Sequence, residues 1–181
     1  MTNQEKAVST SGHQVPEKKQ TTLGLYVTAQ EAYDMWKAEP ERVNILDVRT
    51  PEEYYFVGHA QMAWNIPLGF VKHQWNAEKK ELAFAPNPDF ISSVKSQYSV
   101  DDRLLLICRS GGRSALAVNA LAQAGFENAY NIIDGMEGDL VKDPDSPDDG
   151  KRMKNGWKNS GSPWTYDVNP ELLWISPGKL D

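Results

Sequence analysis

The chain holds one cysteine, Cys108, in 181 residues, and only three histidines. A lone thiol excludes an internal disulfide and leaves too few soft ligands for a thiolate-bound metal cluster. No apolar run reaches the ~18 residues that would suggest a membrane span, so no membrane association is expected. Basic residues are in the minority: 19 Lys and Arg stand against 25 Asp and Glu, for a net charge of −6. Nucleic acid demands a net basic face and is not expected as a partner, although a local basic pocket can exist in an acidic chain. Residues 1–22 lack the apolar stretch of a secretion leader and are rich in Gln, Ser, Thr and Lys, so they read as a disordered polar tail. The chain as it stands is expected in the cytoplasm, or in the periplasm if a leader has been removed.

What is present suits one domain with one core: 40% hydrophobic and 24% charged residues. The domain is placed at residues 23–165, with an acidic insertion near 139–152 and a C-terminal tail, 166–181, that packs on the domain. Thr28 is an N-cap, and Ala32, Met35 and Trp36 then share one helical face until Pro40. Residues 43–48 (VNILDV) form a buried strand. Thr50-Pro51-Glu52-Glu53 is a helix start with a capping box, ending near Gly58. Residues 63–66 read as a short strand stopped by Pro67. Residues 69–85 show no clean period and read as a long surface connection. Asn87-Pro88-Asp89 opens a helix through about Tyr98. The run 103–108 (RLLLIC) is the most apolar strand. Ala115, Val118, Leu121 and Ala122 follow at helical spacing up to Gly125, and 129–133 is a further strand. Strands alternating with helices predict an α/β fold, a central parallel sheet flanked by helices on both faces. The Asp-rich stretch 139–150 reads as an exposed loop; it lacks the alternate-residue spacing and terminal Glu of a calcium loop, and no metal site is assigned. The aromatic segment from Trp157 onward is too apolar to dangle and is expected to pack on the domain or on a partner, which would suit a homodimer.

The chemistry concentrates at Cys108. Composition alone favours reading a lone Cys as a small buried apolar residue. Its context argues otherwise: it ends a buried strand, and two glycines and a helix start follow it. Ligands of open α/β sheets bind at that end of the strands. Gly111 and Gly112 let the backbone curl so that amide N–H groups face one anion, and the helix starting near Ser114 aims its positive end there. Such a setting favours the thiolate, the nucleophilic form. No cofactor is required. Arg109 and Arg113 add charge at the rim, Arg109 as the solvent-facing contact, Arg113 as a substrate contact or the partner of a carboxylate. Asp47 and Arg49 read as ion-paired groups that fix the loop before Pro51, with Glu53 as a further partner. His59 reads as structural, bonded to backbone. His73 is expected exposed in the long connection, and Trp75 and Trp164 are candidates for an apolar site mouth.

The segments 45–67 (ILDVRTPEEYYFVGHAQMAWNIP), 108–114 (CRSGGRS) and 121–138 (LAQAGFENAYNIIDGMEG) together resemble rhodanese domains in order and spacing, over residues 24–161. The resemblance implies a sulfurtransferase in which Cys108 carries sulfur as a persulfide and Arg109, Ser110, Gly111, Gly112 and Arg113 form the substrate loop. Its donor would be a small sulfur anion, thiosulfate or polysulfide, and its acceptor a thiol or cyanide. Four residues separate Cys108 from Arg113, as in rhodanese-like sulfurtransferases; the related phosphatases and arsenate reductases have one more. An alternative from another class is a persulfide carrier that delivers sulfur to a partner protein with little small-molecule turnover. One departure stands out. Such domains run from a Gly-Gly-aromatic turn directly into a Trp-Lys helix, whereas here the acidic insertion separates Gly138 from Gly156-Trp157-Lys158.

Overall fold

The computed structural model describes residues 9–78 and 80–175. In chain order its strands are β1 (Tyr26–Val27), β2 (Val43–Asp47), β3 (His59–Ala60), β4 (Trp64–Asn65), β5 (Gly69–Asn76), β6 (Glu81–Pro86), β7 (Arg103–Ile107), β8 (Ala129–Ile132) and β9 (Trp164–Thr165). The helices are α1 (Ala29–Ala38), α2 (Pro51–Val57), α3 (Phe90–Gln97) and α4 (Gly112–Gln123). The main sheet has the order β1-β8-β7-β2-β4, and every pairing in it is parallel.

Strand alternation divides the core into two layers. Ile45 of β2 and Leu105 and Ile107 of β7 point to the face covered by Ala29 and Ala32 of α1 and Tyr54 of α2. Leu46, Leu104 and Leu106 point to the other face, under Phe90 and Val94 of α3 and Val118 and Leu121 of α4. All these residues are at most 3% exposed. A one-residue slip of β2 on β7 would exchange both sets at once, so the register Val43↔Arg103 through Asp47↔Ile107 is strongly specified.

The capping box expected at Thr50 is present, and Thr28, expected as an N-cap, closes a second one. Thr28 Oγ1 accepts the Glu31 N–H at 3.2 Å while the Glu31 carboxylate accepts the Thr28 N–H at 2.6 Å. Thr50 and Glu53 repeat the exchange at 3.2 Å each way, with Pro51 at the first helical position. Each such cap is worth about 1 kcal/mol to its helix.

Three expectations are corrected. Residues 9–22 do not behave as a disordered tail: Ser9, Val15 and Lys19 are buried, and a turn of 3₁₀ helix at Glu17–Lys19 packs against α4. Residues 1–8 of that expected tail lie outside the described residues. The connection 69–85 is an antiparallel hairpin of β5 and β6, with a register shift between Val71 and Trp75. Its residues are mostly exposed, so no one-sided apolar alternation was imposed on its sequence. Finally, α4 begins at Gly112, two residues before Ser114.

The acidic insertion leaves and returns at one point. Gly138 (φ +83°) and Gly156 (φ +95°) lie back to back, and the Trp157 N–H donates to Gly135 O at 2.8 Å. The chain therefore resumes beside the place where it left, and Trp157 is fully buried in the core. A Cβ at Gly138 would overlap the backbone oxygen of Asn155. Gly138→Ala is expected to cost about 2 kcal/mol or more, and at roughly 2–4 °C per kcal/mol for a chain of this size thermal unfolding should show a drop of at least about 4 °C. An unchanged midpoint would contradict this account of the junction. Beyond Trp164, Val168 and Leu173 pack on the α1 side of the core and Trp174 on the α3 side.

Candidate active site

Cys108 follows the last residue of β7, at the C-terminal edge of the parallel sheet, and α4 starts four residues later. The intervening turn requires Gly111. Its φ is +92°, and a Cβ there would overlap the carbonyl oxygen of Ile133. This tight turn directs the Gly111 N–H onto Cys108 Sγ at 3.2 Å. Ser114, in the first turn of α4, brings its Oγ to 3.3 Å from the same sulfur. Cys108 is 2% exposed, so the sulfur sits at the floor of the loop. Arg109 is exposed at the rim and Ser110 is half-buried.

Ser114 Oγ also lies 2.6 Å from Asn131 Oδ1. A hydroxyl has one proton, so Ser114 can offer it to either acceptor and turn it to the sulfur when negative charge accumulates there. Asn131 is fully buried in β8, and its amide donates to Gly111 O at 3.0 Å and to Lys19 O at 2.8 Å. One side chain thus ties the Cys108 loop, α4 and the N-terminal arm together. The sequence reading gave no role to Ser114, Asn131 or Lys19. The available signal was an Asn inside the apolar run 129–133, since a buried amide needs partners on all its polar atoms.

The two arginines of the loop differ. Arg109 has no hydrogen bond or ion pair from its guanidinium among the described residues. Arg113 forms a two-pronged pair with Glu53, 2.6 Å at each contact. Glu53, expected as a further partner of the Asp47–Arg49 pair, acts on Arg49 only through charge and accepts the hydrogen bonds of Arg113, and that pair anchors the loop to the cap of α2. Burial by itself would raise the Glu53 carboxyl, but the Arg113 hydrogen bonds and charge hold it below the usual carboxylate value. Burial likewise opposes charge on Arg113, and Glu53 more than offsets it.

Asp47 and Arg49 are buried completely. Arg49 Nε and Nη2 grip the Asp47 carboxylate at 3.0 and 2.6 Å, and Nη2 also reaches Gly58 O at 2.8 Å. The pair joins the end of β2 to the end of α2, under the loop that carries Thr50. His59 is buried, stacks on Tyr54 at 3.6 Å, and donates Nδ1–H to Tyr54 O at 3.0 Å. Burial pushes its pKa down, favouring the neutral ring. His73 is exposed on β5, and Trp75 on the same strand is 64% exposed. Trp164 lies under the Lys158 ammonium, 4.0 Å from the ring centre. Neither tryptophan lines the cavity onto which the Cys108 loop opens. Among the described residues no group of three or more His, Cys, Asp or Glu side chains is arranged to hold a metal. The aspartates of the insertion cap its own turns, Asp149 accepting the Asp143 N–H and Asp143 the Asp145 N–H.

Residues 28–140, more than half of the chain, match the rhodanese-like domain model. The chain belongs to the rhodanese-like domain family. An uncharacterized protein of Rickettsia prowazekii, RP600, is 30% identical over 122 residues, covering 67% of this chain and 82% of its own length. Thiosulfate sulfurtransferase 16, chloroplastic, of Arabidopsis thaliana is 38% identical over 90 residues, covering 50% of this chain and 68% of that protein. Among solved structures, the crystal structure of Rv0390 from M. tuberculosis superposes with a TM-score of 0.60 at 26% identity, covering 78% of this chain and 96% of that one. The parallel sheet with four helices matches this rhodanese-like architecture.

Within this rhodanese-like domain the Glu53–Arg113 pair has a pH signature. The folded carboxyl lies below its ordinary value of 4.5. Its stabilisation is therefore complete above that value and is lost as pH falls through the lower folded value. Glu53→Gln should unfold at a lower temperature than the parent at pH 7, and the gap should narrow as pH falls below about 4.5. A gap independent of pH would show that the carboxylate charge is not what anchors Arg113.

Proposed function

We propose that this chain is a sulfurtransferase that moves sulfane sulfur from thiosulfate or polysulfide to a thiol or cyanide through a persulfide on Cys108. The observation that carries this reading is Cys108 Sγ receiving the Gly111 N–H and the Ser114 hydroxyl at the head of α4. Two donors and the positive end of a 12-residue helix stabilise negative charge on that sulfur, first as thiolate and then in the persulfide.

The proposed reaction has two displacements. The Cys108 thiolate attacks the outer sulfur of thiosulfate, a new S–S bond forms, and sulfite leaves with the electron pair of the broken bond. Cyanide or a thiolate then attacks the outer sulfur of the persulfide, and Cys108 departs as thiolate. No group outside the donor and acceptor is oxidised or reduced, and no cofactor enters. Cys108 sits at the floor of its loop, and exposed Arg109 beside it would be the first charged contact of a small sulfur anion. The short loop between Cys108 and Arg113 and the name of the Arabidopsis relative support sulfur over phosphoryl chemistry.

The test is incubation with thiosulfate and cyanide. Thiocyanate should form with ping-pong kinetics, and intact mass should rise by one sulfur when cyanide is omitted. Mass gain without turnover would favour a persulfide carrier. Cys108-dependent hydrolysis of an aryl phosphate without either result would overturn the reading in favour of a phosphatase.

A further inference from the structure

Beside the Cys108 loop is a cavity of about 480 Å³, bordered by Ser110 and Gly112 of that loop. Its other walls are the N-terminal arm and the insertion. Five cationic residues, Lys18, Lys19, Lys142, Arg152 and Lys154, line it against one carboxylate, Asp139. This is a concentration of positive charge in a chain whose net charge is −6.

Two of the five are committed to building the site. Lys19, 5% exposed, pairs with Asp139 at 2.9 Å and so joins the arm to the insertion. Arg152 donates to Gly138 O at 2.6 Å and braces the base of the insertion. The ammonium groups of Lys18, Lys142 and Lys154 make no hydrogen bond or ion pair among the described residues. Gathering like charges around one opening costs folding energy, and an anionic guest would offset that cost.

Thiosulfate does not explain these dimensions. The cavity falls in the roughly 300–1,000 Å³ range of sites for organic ligands, and a liquid water occupies only about 30 Å³. A small dianion would leave most of the space and most of the cations unused. The arm wall is also coupled to the reacting sulfur, since Asn131 bonds both Lys19 O and Gly111 O and meets Ser114.

We infer that this pocket holds the acceptor, and that the acceptor is an organic thiol bearing two or more anionic groups. The inference rests on the sulfurtransferase reading and names the substrate class of its second step. The thiolate of such a compound attacks the outer sulfur of the Cys108 persulfide; its own S–S bond forms, the bond to Cys108 breaks, and Cys108 leaves as thiolate.

The experiment presents thiosulfate-loaded protein with 2-mercaptoethanol, mercaptoacetate and mercaptosuccinate, which carry no, one and two carboxylates. Comparing variants by the ratio of kcat/KM for mercaptosuccinate to that for 2-mercaptoethanol cancels intrinsic thiol reactivity. The double variant Lys142→Glu with Lys154→Glu should lower that ratio about tenfold or more at low salt, and high salt should lower it in the parent. Lys95→Glu, on the exposed side of α3, should leave it unchanged. Calorimetry with citrate as the probe should show binding to the parent and a loss of binding in the double variant, independently of turnover; pyrophosphate in place of citrate tells whether phosphate groups are accepted equally. A ratio unaffected by the double variant, or equally affected by Lys95→Glu, overturns the inference while thiocyanate formation leaves the sulfurtransferase reading standing. Absence of any sulfur gain on Cys108 would instead sink that reading.

Discussion

Replacing Cys108 by Ser is expected to remove the sulfur adduct altogether and to lower thiocyanate formation by a factor on the order of 10³–10⁶, the range seen when a covalent nucleophile is lost. A hydroxyl fits the floor of the loop and can accept the Gly111 N–H as the sulfur does. The fold should therefore survive, and near-parent thermal unfolding would show that it has. What is lost is chemical. A serine hydroxyl is essentially un-ionised near neutral pH, and neither the amide nor the helix end makes it a thiophile. Intact mass after thiosulfate treatment, read beside the cyanide assay, separates the outcomes. If the Ser variant still gains sulfur, the reacting group lies elsewhere and the loop geometry has been misread.

The second large effect is structural. Arg49→Met should destabilise the domain by about 3–5 kcal/mol, the usual cost of stripping one partner from a buried ion pair. At roughly 2–4 °C per kcal/mol this lowers the unfolding midpoint by about 6–20 °C. Among the described residues Asp47 would keep only the backbone N–H of residue 49 as a donor to its carboxylate, in a site with no solvent access. Gly58 O would lose its partner as well. Adding Asp47→Leu to Arg49→Met should recover a large part of the loss, because the uncompensated charge is then gone. If the double variant is as unstable as the sum of both single changes, the pair matters for something other than its charge balance. Burial also lowers the charging tendency of Arg49, and the Asp47 carboxylate reverses that; the double change leaves no lone charge in this buried site, which is the reason for expecting it to be milder than either alone.

The strands β2, β4, β7 and β8, the Thr50–Glu53 capping box and the Cys108 loop were legible because each is a short-range pattern. Thr50 and Glu53 find each other within one turn, and residues 103–107 alternate between two apolar layers whatever their neighbours are. The hairpin of β5 and β6 was not legible, since most of it meets solvent and nothing forces its side chains into a one-sided pattern. Nor was the ordering of residues 9–22, whose polar composition hides two anchors, Val15 and Lys19.

The sequence by itself determined that a lone thiol sits where a buried strand turns through glycines into a helix, and hence which atom is the proposed nucleophile. Only the tertiary structure decided what surrounds that atom. Arg113 belongs to Glu53, 60 residues away, and Lys19 to Asp139, 120 residues away. Local propensity reaches one or two turns along the chain. Pairs this distant exist only once the strand order β1-β8-β7-β2-β4 has placed their elements side by side, and it is these pairs that shape the basic pocket and hold the loop around Cys108.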